Sequence, residues 1–234
     1  MKQKIINAIE QPKAILSLIK KVKPAAYFEI LWARDISKKD FKTYIDAGCN
    51  EGSYIKAFKS LFPNARFIYA IDPIKDLCDS VAKKYGAVAF PIALWDKDEN
   101  KCIFYINKRR SANSSLFEYS EHNIDYDNEI VKKIKVNKRR FDHLPIKIIE
   151  PCLLKIDVEG AEYEALKGFQ NRLKEIDVII IEKHLQRAHK GITSFGKIFD
   201  LLQDYGFYGF LQKSLRYKNG YPSKCNLIFY KPEI

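Results

Sequence analysis

The sequence predicts an α/β fold, in which a doubly wound, mostly parallel sheet carries an antiparallel edge strand and an N-terminal helical appendage. Three apolar segments support this prediction, and they begin at Tyr44, Arg66 and Leu153. Each has the length of a buried strand and leads into a polar turn and then into residues with helical spacing. The first two segments end in the acids Asp46 and Asp72, which are 26 residues apart. That separation is about the length of one β-α-β unit, so the sequence favours parallel strands.

The turn after the first strand has the form D-x-G-x-x-x-G, with Asp46, Gly48 and Gly52 at the defining positions. Gly48 lets the backbone turn sharply and approach a ligand closely. The pattern differs from the G-x-G-x-x-G of dinucleotide-binding proteins and lacks the Gly-Lys-Ser/Thr ending of a phosphate loop. An acid at the first position favours a cationic group over a pyrophosphate, and the amino end of S-adenosylmethionine is such a group.

Asp72 ends the second predicted strand, where a carboxylate can accept hydrogen bonds from ribose hydroxyls. In an open parallel sheet the ligand crevice lies outside the carboxyl ends of the strands. We therefore expect Gly48, Gly52 and Asp72 to face one nucleotide-like ligand.

Length and composition fit a single α/β domain, since 234 residues can bury a sizeable core. The five cysteines form no C-x-x-C pair, which argues against a disulfide framework and a structural zinc site. No apolar run approaches the roughly 18 residues of a membrane span, and residues 1–7 lack a signal-peptide core, so we expect a cytoplasmic protein. The net charge of +12 indicates anionic partners, such as nucleic acid, anionic lipid or a phosphorylated sugar, or a solvated lysine-rich surface.

We divide the chain into an N-terminal helical appendage, residues 1–40, and a ligand-binding domain, residues 41–234. Apolar residues recur with helical spacing over residues 3–22, and Pro12 indicates two short helices there. One interpretation is that this segment packs on the domain or covers its ligand. The other is a dimer contact or a peripheral contact with a membrane surface, because basic amphipathic segments bind such surfaces.

A polar loop with two adjacent arginines follows a predicted strand over residues 101–106. It contains Arg109, Arg110 and Ser114. Guanidinium groups bind phosphates and carboxylates bidentately, so the loop is a candidate substrate-binding segment for an anionic acceptor. A surface turn is the alternative interpretation.

Three further segments are predicted from their turn and strand patterns. Residues 207–211 and 226–230 flank a turn with Asn219 and Gly220, and they predict a closing antiparallel pair. Residues 138–140 predict the edge of an insertion hairpin. Residues 125–129 predict an acidic turn.

The run Ile-Asp-Val-Glu-Gly-Ala-Glu at residues 156–162 joins an apolar strand to a helix. Together with residues 45–52, it closely resembles the FkbM family of S-adenosylmethionine-dependent methyltransferases, over roughly residues 41–185. The resemblance implies a Rossmann-like methyltransferase sheet with S-adenosylmethionine as cofactor. It also implies O-methylation of a hydroxyl-bearing acceptor, often a sugar of a natural product, polysaccharide or glycolipid.

The resemblance implies roles for individual residues as well. The glycine turn would hold the methionine end of the cofactor, the tip of the second strand its ribose, and the end of the third strand its adenine. The implied cofactor residues are Asp46, Gly48, Asn50, Gly52, Asp72, Ala93 and Leu94. Glu159 would lie on the methyl-transfer side, where Arg109, Arg110 and Ser114 are the other candidate substrate residues. Two positions depart from the family, because Cys49 replaces a frequent alanine and Asp72 a usual, longer glutamate.

Methyl transfer to oxygen is an in-line displacement that also releases a hydroxyl proton. His184 follows a predicted strand and is the candidate base, because imidazole has the side-chain pKa nearest neutrality. A supporting, hydrogen-bonded role is the alternative for His184. Glu182 would orient His184 or face the acceptor, and Asp157 would contact the acceptor hydroxyl or organise the cofactor. A rival mechanism places Mg²⁺ or Mn²⁺ between Asp157, Glu159, Glu182 and His184, with Asp157, Glu182 and His184 as the leading ligands.

Three classes of function remain open from the sequence. The leading class is O-methylation of a sugar, which the run at residues 157–162 supports. Methylation of RNA or another nucleic acid is motivated by the basic charge, but residues 157–160 lack the Asn/Asp-Pro-Pro-aromatic turn of many base methyltransferases. The third class is a non-catalytic binding protein on the same fold, because a fold alone does not establish activity.

Overall fold

A seven-stranded sheet forms the centre of the protein. The computed structural model describes residues 23–119, 131–185, 190–218 and 220–232. The strands, in chain order, are β1 (Thr43–Ala47), β2 (Phe67–Ile71), β3 (Val88–Phe90), β4 (Ala93–Leu94), β5 (Glu99–Asn107), β6 (Val131–Arg139), β7 (Cys152–Ile156), β8 (Val178–His184), β9 (Gly209–Lys218) and β10 (Tyr221–Tyr230). The main sheet has the order β3-β2-β1-β7-β8-β10-β9. Its first five strands run parallel, whereas β10 is antiparallel to both β8 and β9. The predicted mostly parallel sheet with an antiparallel edge is confirmed.

Helices cover both faces of this sheet. They are α1 (Pro24–Ser37), α2 (Ser53–Leu61), α3 (Lys75–Tyr85), α4 (Glu162–Lys167) and α5 (Phe195–Asp204). The helices α4 and α5 pack on one face, and α1, α2 and α3 pack on the other. Alternation along β1 places Ile45 in the first core and Tyr44 in the second. Because both faces are covered, the three central parallel strands β1, β7 and β8 are buried along their whole length.

A second sheet of three strands, in the order β4-β6-β5, is inserted between β3 and β7. The strands β5 and β6 pair antiparallel, which confirms the strand predicted at residues 101–106 and the hairpin edge predicted at residues 138–140. Phe104, Ala93 and Val136 form its small core. This insertion carries the arginine loop to the carboxyl edge of the main sheet, where that loop meets the turn after β1.

The C-terminal strands β9 and β10 form the predicted closing pair, and each has ten residues, more than the sequence indicated. The strand β10 is inserted between β8 and β9 in the sheet. It therefore places its side chains next to the end of β8.

Helix α1 is attached to the sheet through a buried acid. Ala26, Ile30 and Ala33 are buried against the core, and Glu29 on the same side is fully buried. The Glu29 carboxylate accepts hydrogen bonds from the hydroxyl of Tyr54 and the side chains of residues 214 and 226 on β9 and β10. This helix packs on the domain, while the division of the chain at residue 40 stays a prediction.

Two predicted segments, the helices in residues 3–22 and the acidic turn at residues 125–129, lie outside the described residues. Within the described part of the chain, no helix has both the length and the apolar character needed to cross a bilayer. All five cysteines are buried, and none forms a disulfide bond.

Candidate active site

A cavity of about 370 Å³ opens at the carboxyl edge of the main sheet. It lies where the turns after β1, β2 and β7 meet the arginine loop after β5. Many of the predicted site residues line it: Gly48, Asn50, Asp72, Ala93, Leu94, Arg109, Arg110, Ser114, Asp157 and Glu159. Other predicted residues, Asp46, Gly52, Glu182 and His184, are not among the described residues that line it. The cavity thus joins the predicted cofactor turn to the predicted methyl-transfer side.

The glycine turn packs tightly against the turn after β7. Gly48 has φ +82°, and a Cβ at this position would lie 1.9 Å from the backbone oxygen of Asp157. The Gly48 amide donates to the Ile71 carbonyl oxygen over 2.8 Å, which ties the turn to the tip of β2. Gly52 lies under the turn at the start of α2, where a Cβ would meet the Tyr85 ring at 2.7 Å. Glycine at residue 48 is therefore required by both its φ angle and the approach of a neighbouring backbone.

Asp72 connects the two turns at this edge of the sheet. One of its carboxylate oxygens accepts the Asn50 amide and the other the Ile74 amide, each over 2.9 Å. Burial raises the pKa of Asp72 to about 6, although both amide hydrogen bonds oppose that shift. Each carboxylate oxygen has a second lone pair, so hydrogen bonds from a ribose remain available. The predicted ribose contact stays a prediction.

Asp46 lies deeper, beneath the turn, and is 2% exposed. Its Oδ2 atom has no hydrogen-bond partner among the described residues. Burial raises the pKa of Asp46 to about 7, and Lys155, its neighbour in the register of β1 and β7, opposes the shift. Asp46 is not among the described residues that line the cavity, so its role toward the amino end of the cofactor stays a prediction.

Lys155 is fully buried in the centre of the sheet and is a site residue that was not predicted from the sequence. Its Nζ atom lies 3.1 Å from Oδ2 of Asp157 and 4.8 Å from the centre of the Tyr54 ring. Burial disfavours the charge of Lys155, but Asp157 and nearby glutamates keep its pKa above the usual range. The lysine therefore stays charged and holds the Asp157 carboxylate at the wall of the cavity.

Glu159 is the centre of a buried charged cluster beside the cavity. His184 Nε2 lies 2.6 Å from Glu159 Oε2, and Lys224 Nζ lies 2.9 Å from Glu159 Oε1. The same Nζ lies 2.9 Å from Glu182 Oε1. Burial opposes the charge of Glu159, but the bonds from His184 and Lys224 lower its pKa to about 2. Glu159 also has φ +50°, a strained backbone conformation of the kind found at functional sites.

This cluster changes the interpretation of three predicted residues. Glu159 lies between His184 and the cavity, and the short contact between them fits an imidazole that donates its Nε2 hydrogen to the carboxylate. Glu182 is bound by Lys224 and by Arg216, whose NH2 nitrogen is 3.2 Å from it. Glu159 is therefore the member of the cluster that faces the cavity.

A divalent cation does not fit this cluster as it is arranged. One donor atom each from Glu159, Glu182 and His184 lie within 4.8 Å of one another, and Asp157, which the sequence analysis placed in the metal set, is not among them. The Lys224 ammonium contacts both carboxylates of the set. Since the ammonium already supplies the positive charge there, a metal would have to displace it.

The arginine loop is held in place by hydrogen bonds to the side chains of Asn107, Ser111 and Ser114. The Oδ1 atom of Asn107 accepts the amides of both Arg109 and Arg110 over 2.9 Å. The Ser111 hydroxyl lies 3.2 Å from Oδ1 of Asn50 and joins the loop to the glycine turn. Ser114 is buried and accepts the Asn107 amide, so its hydroxyl supports the loop.

The mostly parallel sheet and the cavity at its carboxyl edge define a Rossmann-like α/β protein with a ligand site at the strand ends. The methyltransferase FkbM domain matches residues 46–208, which is more than half of the chain, and the chain belongs to this family. The resemblance found in the sequence is therefore confirmed. A search of curated proteins gives no matching relative.

Several solved structures have a similar fold. Methyltransferase FkbM from Methylobacillus flagellatus KT is 13% identical with a TM-score of 0.49, and the alignment covers 96% of this chain and 60% of that one. Magnesium protoporphyrin IX methyltransferase from Synechocystis PCC 6803 with bound SAM is 12% identical with a TM-score of 0.47, and coverage is 88% and 78%. The N-terminal domain of EvdMO1 in the presence of SAH and D-fucose is 9% identical with a TM-score of 0.46, and coverage is 89% and 83%. Similarity at this level supports no conclusion about the substrate of this chain.

Proposed function

We propose that this protein transfers the methyl group of S-adenosylmethionine to a hydroxyl group of a sugar-containing acceptor. The observation that carries the proposal is the shared cavity, in which the glycine turn faces the carboxylates of Asp157 and Glu159. When bound, the cofactor supplies an electrophilic methyl group for an in-line displacement.

The cavity fits the cofactor in size and in chemistry. Its volume of about 370 Å³ lies within the range of about 300–1,000 Å³ that is typical of ligand pockets. The turn that carries Gly48 and Asn50 lines this cavity, and the buried Asp46 carboxyl in the strand before the turn has an unpartnered oxygen. We assign the ribose to Asp72 and the adenine to Ala93 and Leu94, which are buried and line the same cavity.

The two carboxylates at the cavity wall suit a hydroxyl acceptor. Both are paired with a lysine, Asp157 with the buried Lys155 and Glu159 with the half-buried Lys224. A carboxylate held in this way accepts a hydrogen bond from a neutral hydroxyl and fixes its direction. We assign Asp157 as the group that takes the hydroxyl proton while the new carbon–oxygen bond forms and the carbon–sulfur bond breaks.

His184 and Glu182 then act as positioning residues. His184 reaches the cavity through Glu159, and Glu182 shares Lys224 with Glu159. Positioning of this kind is a major contribution to the rate of a displacement reaction. In this arrangement, the proton-accepting role that the sequence analysis gave to His184 passes to Asp157.

The test is a methyl-transfer assay with labelled S-adenosylmethionine against nucleotide sugars, lipid-linked glycans and free glycosides. We expect a methyl ether as the product, identified by mass spectrometry. Asp157→Asn should lower kcat by about 10²–10⁴-fold, the usual contribution of a base. Its affinity for S-adenosylhomocysteine, measured by calorimetry, should be unchanged. The matched control is Asp79→Asn, an exposed acid on α3 paired with Lys75. Lack of S-adenosylhomocysteine binding, or methylation of RNA but of no sugar in the panel, would refute the proposal.

A further inference from the structure

Three cationic side chains from two distant segments meet at the mouth of the cavity. They are Lys23, directly before α1, and Arg109 and Arg110 in the loop after β5, and all three line the cavity. All three are exposed. In the part of the chain that the structure describes, no acidic side chain forms an ion pair with them. Helix α1 therefore does more than pack on the sheet, since it also brings a cation to the mouth.

The position of the two arginines is fixed rather than left to a free loop. Asn107, which is buried, binds both of their amides, and the neighbouring Ser111 is bound to Asn50 of the glycine turn. Rigid placement reduces the ordering cost when a ligand binds. The backbone that carries the two guanidinium groups is thus held beside the cofactor turn.

Charge is distributed unevenly between the depth of the cavity and its mouth. The acids at the inner wall, Asp157 and Glu159, are both paired with lysines. At the mouth, Glu51 is the exposed acid among the described lining residues, against the three cations. The mouth therefore carries a net positive charge that the inner wall lacks.

We propose that the acceptor carries a phosphate group, which Lys23, Arg109 and Arg110 bind while the sugar hydroxyl reaches Asp157 and Glu159. This inference rests on the proposed function and names the acceptor as a phosphorylated sugar. Arginine forms two parallel hydrogen bonds to a phosphate, and lysine adds a point charge. A group of three cations matches a doubly charged phosphate better than a singly charged carboxylate, for which one guanidinium suffices.

The first test uses inorganic pyrophosphate as the probe and protein saturated with S-adenosylhomocysteine, with affinity measured by calorimetry at fixed ionic strength. We expect pyrophosphate to bind, the Arg109→Gln/Arg110→Gln double variant to lose at least tenfold in affinity, and Lys23→Gln to lose less. The matched control is Arg66→Gln, an exposed arginine directly before β2 and hence at the opposite edge of the sheet. Equal pyrophosphate affinity in all these proteins, or no binding, would overturn the inference.

The cofactor has a carboxylate that the arginines could bind in place of a phosphate on the acceptor. A second measurement distinguishes these two roles of the arginines. Affinity for S-adenosylhomocysteine should be equal in the wild type and in the double variant. A tenfold loss would assign the arginines to the cofactor and overturn the inference. If S-adenosylhomocysteine does not bind the wild type, the proposed function fails; if it binds and pyrophosphate does not, this inference alone fails.

The source of the phosphate is distinguished by three further probes. Glucose 6-phosphate, UDP-glucose and a short RNA are titrated in the same way, with glucose as the uncharged control. Binding of either phosphorylated sugar at least tenfold tighter than glucose, with loss in the double variant, supports the inference and shows whether a monophosphate or a diphosphate is preferred. Binding of the RNA alone would overturn it.

Discussion

Replacement of Gly48 by alanine is the sharpest test of how the glycine turn is built. An added Cβ would lie 1.9 Å from the backbone oxygen of Asp157, and φ at this residue is +82°. The oxygen belongs to the backbone of the turn after β7, so it cannot rotate away as a flexible side chain could. The substitution therefore meets two separate costs, one of conformation and one of overlap.

The two costs can be estimated and then measured apart. A residue with a Cβ in the left-handed region costs roughly 1–2 kcal/mol. Forcing extra atoms into packed structure costs about 1–3 kcal/mol more. We expect Gly48→Ala to lower the free energy of unfolding by about 2–5 kcal/mol. Gly86→Ala is the matched control, because Gly86 has φ +67° but a Cβ there would have no atom within 4 Å, so this variant should lose only the first amount.

Urea unfolding of the two variants and the wild type measures the difference directly. S-adenosylhomocysteine titration of the same proteins adds a functional measure, and Gly48→Ala should weaken binding while Gly86→Ala should not. If Gly48→Ala loses no more stability than Gly86→Ala and keeps full affinity for S-adenosylhomocysteine, the glycine turn does not pack against the turn after β7 as described.

Three other substitutions test the buried charges. Asp46 keeps its proton up to about pH 7 in the folded protein but loses it near 3.9 in the unfolded chain, so stability contributed by this group falls as pH rises between those values. Asp46→Asn removes this pH dependence. Between pH 5 and pH 8, the free energy of unfolding measured in urea should therefore fall less in the variant than in the wild type. An equal fall in both proteins would contradict the raised pKa of Asp46. Lys224→Met leaves the Glu159 and Glu182 carboxylates without their shared cation and should cost about 3 kcal/mol of stability, whereas the exposed Lys197→Met should cost little. Because Lys224 already compensates this cluster, EDTA should change neither methyl transfer nor the Tm of the wild type, and a chelator-sensitive rate would show that a metal takes part. Glu29→Gln replaces an acceptor of three hydrogen bonds and should cost about 2 kcal/mol in thermal or urea unfolding, against a negligible effect of Asp35→Asn at an exposed pair; equal effects would show that the helix is not anchored by Glu29.

The parts of the site that the sequence predicted are those encoded in short segments. The glycine turn and the acid of β2 follow their strands directly, so apolar patterning and turn residues locate them without knowledge of the rest of the chain. The end of β7 could be located in the same way, from the run at residues 156–162. These segments meet because parallel strands end at one edge of the sheet.

The residues that the sequence did not reveal depend on partners far along the chain. Lys224 meets Glu159 and Glu182 only because β10 is inserted between β8 and β9, which no local pattern indicates. Lys155 stands in an apolar run, but its burial follows from helices on both faces of the sheet. The signal that could have indicated it is its place one residue before the end of a strand otherwise apolar throughout.

The position of β10 also bears on how this protein is cut for expression. The family match ends at residue 208, before β9 and β10, and begins at residue 46, after α1. A fragment limited to the matched residues would strip two of the seven strands and the helix from the sheet, and would leave two buried glutamates without their lysine. The limits of the family match are therefore too narrow here, and a fragment for expression should include α1, β9 and β10 as well as the matched residues.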